Sequence, residues 1–220
     1  MSYDDDVAKA RIAQELKYPT GSLDLSDLVL DMLPKELAGL TALQSLDCSS
    51  IQVSDLSMLA SLTALQRLDC CRTLVSDLSP LSGLTGLQSL DCWLTWVSDL
   101  APLSGLTALQ SLNCAGTQVG DLSPLSALPA LQSLNCGGTH VSDLSPLSAL
   151  PALQSVDCSG IRVSRSVAAV RVARTPAPRL LGVPVERVAV VYPEQPSIDA
   201  DCVRLPRLGA APWHPVSIPV

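Results

Sequence analysis

The 220-residue sequence predicts an α/β solenoid. Its expected shape is an arc with a parallel sheet on the concave side, 3₁₀ or turn structure on the convex side and a helix capping the N-terminal end. Three observations predict it. Cys48, Cys70, Cys92, Cys114, Cys136 and Cys158 recur every 22 residues, leaving only Cys71 and Cys202 off that grid. The residues around them share the pattern LxxLxCxxTxVxDLSPLxxLxx, complete in the units of Cys70, Cys92, Cys114 and Cys136 apart from Ala101 at one Ser position. The chain is 47% hydrophobic but 3% aromatic, without a single Phe, so Leu, Val, Ala and Cys must build the core. A fixed period of this length marks stacked structural units rather than a set of unrelated disulfides.

The elements follow in chain order. Residues 1–19 form the helical cap. Ala8, Ile12 and Leu16 lie at i, i+4 and i+8 of an amphipathic helix expected over residues 3–17, with Asp4, Asp5 and Asp6 at its dipole-favourable start. Residues 20–164 are the repeats, about seven units. The first is a variant of 23 residues from Thr20; later units start at Leu43, Leu65, Leu87, Leu109, Leu131 and Leu153. Period-2 alternation within LxxLxC turns Leu46 and Cys48 inward and Ser45, Asp47 and Ser49 outward. One unit cannot bury its apolar side alone. Stacking in register buries a continuous column and pairs the strands in parallel. On the opposite side, Asp55, Asp77, Asp99, Asp121 and Asp143 precede short apolar stretches, Pro-bearing in all but the first, and are expected to cap 3₁₀ turns.

The unit resembles the leucine-rich repeat, LxxLxLxxNxL, most closely the 22-residue kind of the bacterial internalins. The resemblance covers residues 20–164. The opening AKARIAQELKYPTGS and the first unit, LDLSDLVLDMLPKELAGL, resemble the start of bacterial Roco proteins, which carry such repeats ahead of a Ras-like GTPase. Two departures stand out. Cys replaces the third core Leu of the strand. Thr73, Thr95, Thr117 and Thr139, with Ile51 and Ile161, occupy the position of the family's Asn, whose side chain bonds backbone from coil to coil. Thr offers one hydroxyl and Ile nothing, so that ladder is expected to be weaker here, especially at the ends.

After Ser164 the pattern stops, leaving an irregular tail over residues 165–220. The second codon bases of Arg165 to Leu181 are permissible first bases for DLSPLSGLPALQRLDCS, an eighth unit in phase. One reading makes the tail a frameshifted repeat remnant. The other makes it a true C-terminal extension capping the last coil, with VERVAVVYP (residues 185–193) as a strand.

Composition narrows function. A net charge of −7 argues against nucleic acid and anionic membrane as partners, since both need a basic face. No run reaches the roughly 18 apolar residues of a membrane span. The acidic start lacks the features of a secretory signal, which makes the cytoplasm the expected compartment and signal-independent export of an effector the alternative. His140 and His214 lie far apart, Cys202 has no plausible partner beyond His214, and no catalytic or nucleotide-binding motif occurs. No enzymatic activity, cofactor or metal is therefore expected. In-register strands place the cysteine column about 4.8 Å apart, a poor geometry for disulfides, so the thiols read as core.

Function is expected where near-identical units differ. Outward positions mostly repeat as Ser, Asp or Asn, Gly and Gln. Asp47, Asp69, Asp91 and Asp157 project from the concave strands, with Asn113 and Asn135 completing the column. Units three and four instead carry Arg67, Cys71, Arg72 and Leu74, then Trp93, Leu94 and Trp96. Trp93 is expected on the concave face and Trp96 at its rim, near the arginines. Exposed Trp and Arg dominate interface hot spots. The candidate site is thus Arg67, Asp69, Arg72, Leu74, Asp91, Trp93, Leu94 and Trp96, binding a protein partner. A homodimer through the C-terminal end of the arc is a further expectation. The alternatives are the sensor arm of a Roco-type GTPase protein and a bacterial effector acting on host proteins.

Overall fold

The computed structural model describes residues 3–162. Helix α1 (Tyr3–Lys17) leads into seven short strands: β1 (Ser22–Asp24), β2 (Ser45–Asp47), β3 (Arg67–Asp69), β4 (Ser89–Asp91), β5 (Ser111–Asn113), β6 (Ser133–Asn135) and β7 (Ser155–Asp157). They form one parallel sheet in sequential order, with Leu46 opposite Leu68 and Leu68 opposite Leu90. Each repeat returns the chain to the same point one coil further on, so identical positions stack.

Inside, Leu46, Leu68, Leu90, Leu112 and Leu134 stack on one another, as do Cys48, Cys70, Cys92, Cys114 and Cys136, all buried. The cysteines have a reason beyond size. The Sγ–H of Cys48 points to the carbonyl of Asp69 at 3.2 Å, that of Cys70 to Asp91 at 3.3 Å and that of Cys92 to Asn113 at 3.3 Å. Backbone bonds run beside them: Cys48 N–H donates to Asp69 O at 2.8 Å and Cys70 N–H to Asp91 O at 2.9 Å. The thiol thus fills the core and supplies a weak donor to the next coil.

The threonines act differently from the expected ladder. Thr73, Thr95, Thr117 and Thr139 are buried, and each hydroxyl donates to the Cys carbonyl three residues earlier in its own coil, at 2.6–2.7 Å. Thr is too short to reach the neighbouring coil. Inside the core, coil-to-coil bonding falls to the backbone and to the thiols.

Six 3₁₀ segments line the opposite side: Lys35–Gly39, Ser57–Ser61, Ser79–Leu81, Ala101–Leu103, Ser123–Ala127 and Ser145–Ala149. Asp55, Asp77, Asp99, Asp121 and Asp143 cap the last five as expected. Each Oδ1 accepts the N–H two residues on, at 2.7–2.8 Å. The side chains of Ser79 and Ser123, and after them these N–H bonds, favour the carboxylate and lower the pKa of Asp77 and Asp121.

Helix α1 has the expected bounds, but its inward face is corrected. Ala8 and Ile12 are buried, whereas Leu16 is 51% exposed and Glu15 is buried in its place. Two turns of an α-helix take about 7.2 residues, so position 15 returns closer to the azimuth of Ala8 than position 16. Glu15 is satisfied there. Its Oε1 accepts the N–H groups of Thr20 and Gly21, and its Oε2 accepts the Thr20 hydroxyl. Asp4 accepts Val29 N–H and Arg11 donates to Asp24 O, fastening the cap to the first coil. The tail expected from residue 165, with both of its readings, lies outside the described residues, as does any contact of the arc's C-terminal end with it.

Candidate functional site

Each strand ends in the same turn, and that turn builds the site. The last strand residue is Asp or Asn. Its Oδ1 accepts the N–H two residues later in every coil, from Asp24 to Ser26 through Asp69 to Cys71 and Asp91 to Trp93, at 2.8–3.2 Å. Asp and Asn interchange in this column because both carry the acceptor. The Asp column is thus neither a bare solvated face nor a free row of ligands, because one oxygen of each side chain closes its turn.

The residue after this closed pair adopts a left-handed backbone in all seven coils. Asp27, Ser50, Arg72, Leu94, Gly116, Gly138 and Gly160 have φ between 52° and 72°. Glycine adopts this conformation freely and Asp tolerates it. Leu has neither advantage, and holding it there costs roughly 1–2 kcal/mol. Leu94 nonetheless stands at φ 52° and is 47% exposed.

Around Leu94 the exceptional residues of coils three and four assemble. Trp93 is 37% exposed and Trp96 58% exposed. The Arg72 guanidinium lies over the Trp93 ring, 5.9 Å from its centroid, a cation–π contact. Leu74 and Trp96 occupy equivalent positions in adjacent coils, their N–H groups donating to Val53 O and Val75 O. Arg67 lies exposed on β3, between Ser45 and Ser89 in the register. Leu94 leans over the next coil, where a Cβ on Gly116 would come within 2.7 Å of its Cδ2 and 3.8 Å of Trp93 Nε1. Gly116 is therefore the seat of Leu94, a role that repeat comparison did not reveal.

Below the aromatic patch, Asp69 and Asp91 are paired across β3 and β4 and Asp47 across β2. Burial raises the pKa of both Asp69 and Asp91. Hydrogen bonds from Cys71 to Asp69, and from Trp93 and Asn113 to Asp91, oppose the rise, while neighbouring carboxylates add to it. Asn113 Nδ2 donates to Asp91 Oδ2 at 2.9 Å, tying β5 to the column. Cys71 completes this group, and its thiol and the two carboxylates bring ligand atoms within 4.8 Å of one another. Burial, then the two aspartates, push its thiol pKa up, which disfavours a nucleophilic thiolate. Three ligand atoms also fall short of the four of a structural zinc site. Cys71 was legible as off the 22-residue grid. Its place beside Asp69 follows from alternation two residues further on.

The comparisons agree with this architecture. The family described as Leucine Rich repeats (2 copies) matches residues 41–83. No curated protein matches the sequence. Among solved structures, the internalin InlF of Listeria monocytogenes is 25% identical over 73% of this chain, with a TM-score of 0.55. Internalin C2 of the same organism is 24% identical over 73% of this chain and 84% of its own, with a TM-score of 0.56. The functional domain of InlJ from that species, which includes a cysteine ladder, is 25% identical over 59% of this chain and 28% of its own, with a TM-score of 0.53. The chain spans 57% of the InlF chain. With seven parallel strands in one sheet and a repeating 3₁₀ side among the described residues, the chain has the fold of a leucine-rich-repeat arc, and its units are similar to those of the internalins.

Proposed function

We propose that this chain is a non-enzymatic interaction module that binds a protein partner on its concave face. The site is centred on Trp93, Leu94 and Trp96, with Leu74, Arg67, Arg72, Asp69 and Asp91 around them. The observation that carries this reading is Leu94. An exposed apolar side chain occupies a left-handed position where three of the other six coils place Gly. Strain of this kind persists where something other than stability retains it. The neighbouring tryptophans and arginines are the residue types enriched at binding hot spots.

The test is the Trp93→Ala/Trp96→Ala double variant, compared with wild type in capturing an identified protein partner. Binding should be lost while the thermal melt followed by circular dichroism stays nearly unchanged, because both rings are partly exposed. Undiminished binding, or a collapsed fold, would remove the site.

A further inference from the structure

The apolar patch of Leu74, Leu94 and Trp96 does not stand alone, and its surroundings select what can cover it. Along the strand ends runs the series Asp24, Asp47, Asp69 and Asp91, one per coil and in register. It changes to Asn113 and Asn135 immediately beyond the aromatic residues and returns to Asp only at Asp157, three coils beyond Asp91. Since Asn closes the turn as well as Asp does, turn geometry does not require the charge in coils one to four. The charges are concentrated on the side of the patch where they crowd one another. Trp93 joins the two features. Its N–H is held by Asp91, and its ring already seats the Arg72 guanidinium. Of the local basic groups, Arg72 is engaged on that ring, while Arg67 lies two residues before Asp69, at the other end of β3.

We infer that the partner contributes an extended segment of mixed basic and apolar side chains, its Lys or Arg entering the Asp47–Asp69–Asp91 column and its apolar residues covering Leu74, Leu94 and Trp96. This rests on the proposed concave-face binding and specifies its chemistry. A cation in the column relieves repulsion among neighbouring carboxylates and extends the aromatic–cation contact that Arg72 makes within the chain. A second copy of this chain, at net charge −7, is a poor fit to the same column.

The test measures binding of the full chain to three short fluorescent peptides by anisotropy: alternating Arg and Leu, alternating Glu and Leu, and alternating Ser and Leu. The Arg/Leu peptide should bind at least about tenfold more tightly than the others, with an advantage that shrinks as salt rises. Asp69→Asn/Asp91→Asn keeps both turn acceptors and should remove most of that advantage. Asp99→Asn/Asp121→Asn, on the far side of the coils, makes the same change in net charge and should leave it intact. Equal loss in the two double variants would reduce the effect to overall charge and overturn the inference. Equal binding of the Ser/Leu peptide would overturn it too, yet spare concave-face binding if Trp93→Ala/Trp96→Ala abolished that binding. If the Trp variant changed no peptide's affinity, both readings would fall. Dimerisation lost in the Trp variant, seen by light scattering, would assign the patch to a second copy and overturn the inference.

Discussion

Coils three and four (residues 65–108) and coils five and six (residues 109–152) have the same skeleton and opposite surfaces. Both pairs bury the same Leu, Cys and Val columns, close their strands with an Asp or Asn turn and place a left-handed residue after it. Coils five and six meet that requirement with Gly116 and Gly138, and carry Asn113 and Asn135 in the strand. Coils three and four meet it with Arg72 and Leu94, and carry Asp69 and Asp91. The comparison separates what the fold needs from what it only tolerates. The acceptor and the left-handed backbone are needed. The charge, the aromatic rings and the bulky side chain at the turn are additions.

The largest effects should not distinguish the two regions. Leu90→Ala and Leu112→Ala each open a cavity at equivalent buried positions and should each cost about 2–5 kcal/mol in chemical denaturation. A large difference between them would show that the cores are not equivalent. Gly116→Ala comes next. It places a Cβ at φ 65° and against Leu94, for about 1–3 kcal/mol. The same change at Gly138, whose nearest neighbours lie 3.8–3.9 Å from the added Cβ, should cost less. If the two match, Leu94 does not press on Gly116.

Leu94→Gly reverses the comparison by giving coil four the turn residue of coil five. Relief of the left-handed backbone, about 1 kcal/mol, opposes the loss of a half-exposed side chain. The melting temperature should hold or rise while partner binding weakens. A clear drop in melting temperature would make Leu94 a structural residue.

The smallest effect is electrostatic. Burial raises the folded pKa of Asp69 and Asp91, so the folded state binds more protons than the unfolded state between the ordinary Asp pKa and the raised one. Stability from these groups therefore rises as pH falls through that window, and their ionisation is a cost at neutral pH. Asp69→Asn/Asp91→Asn should raise the melting temperature at pH 7, and the gain should fade as the pH drops toward the ordinary Asp range. A constant gain would trace to something other than ionisation.

Much of this was legible before the structure. The cysteine period fixed six stacked units and the leucines after Thr20 a seventh, alternation separated Leu46 and Cys48 from Asp47, and departures from the repeat pointed to Trp93, Leu94 and Trp96. Three things were not. Leu16 and Glu15 exchanged places because spacing in sequence only approximates azimuth on a helix. The threonines turned to their own coil because the reach of a hydroxyl depends on the distance to the next one. The turn-closing role of the Asp column stayed hidden because a turn acceptor and a solvated carboxylate are the same letter.

The sequence by itself determined the stacking, the register and the core. A constant period returns each residue type to the same place, and only parallel, in-register coils bury every Leu at once. The tertiary structure decided which polar and exceptional side chains are spent inside their coil and which remain for a partner. One oxygen of each strand-end Asp or Asn closes a turn, Arg72 lies on Trp93, and Leu94 rests over Gly116 with half its surface open. These outcomes depend on distances of a few ångströms within a turn or between residues 21 or 22 apart, which a repeat pattern aligns but does not measure.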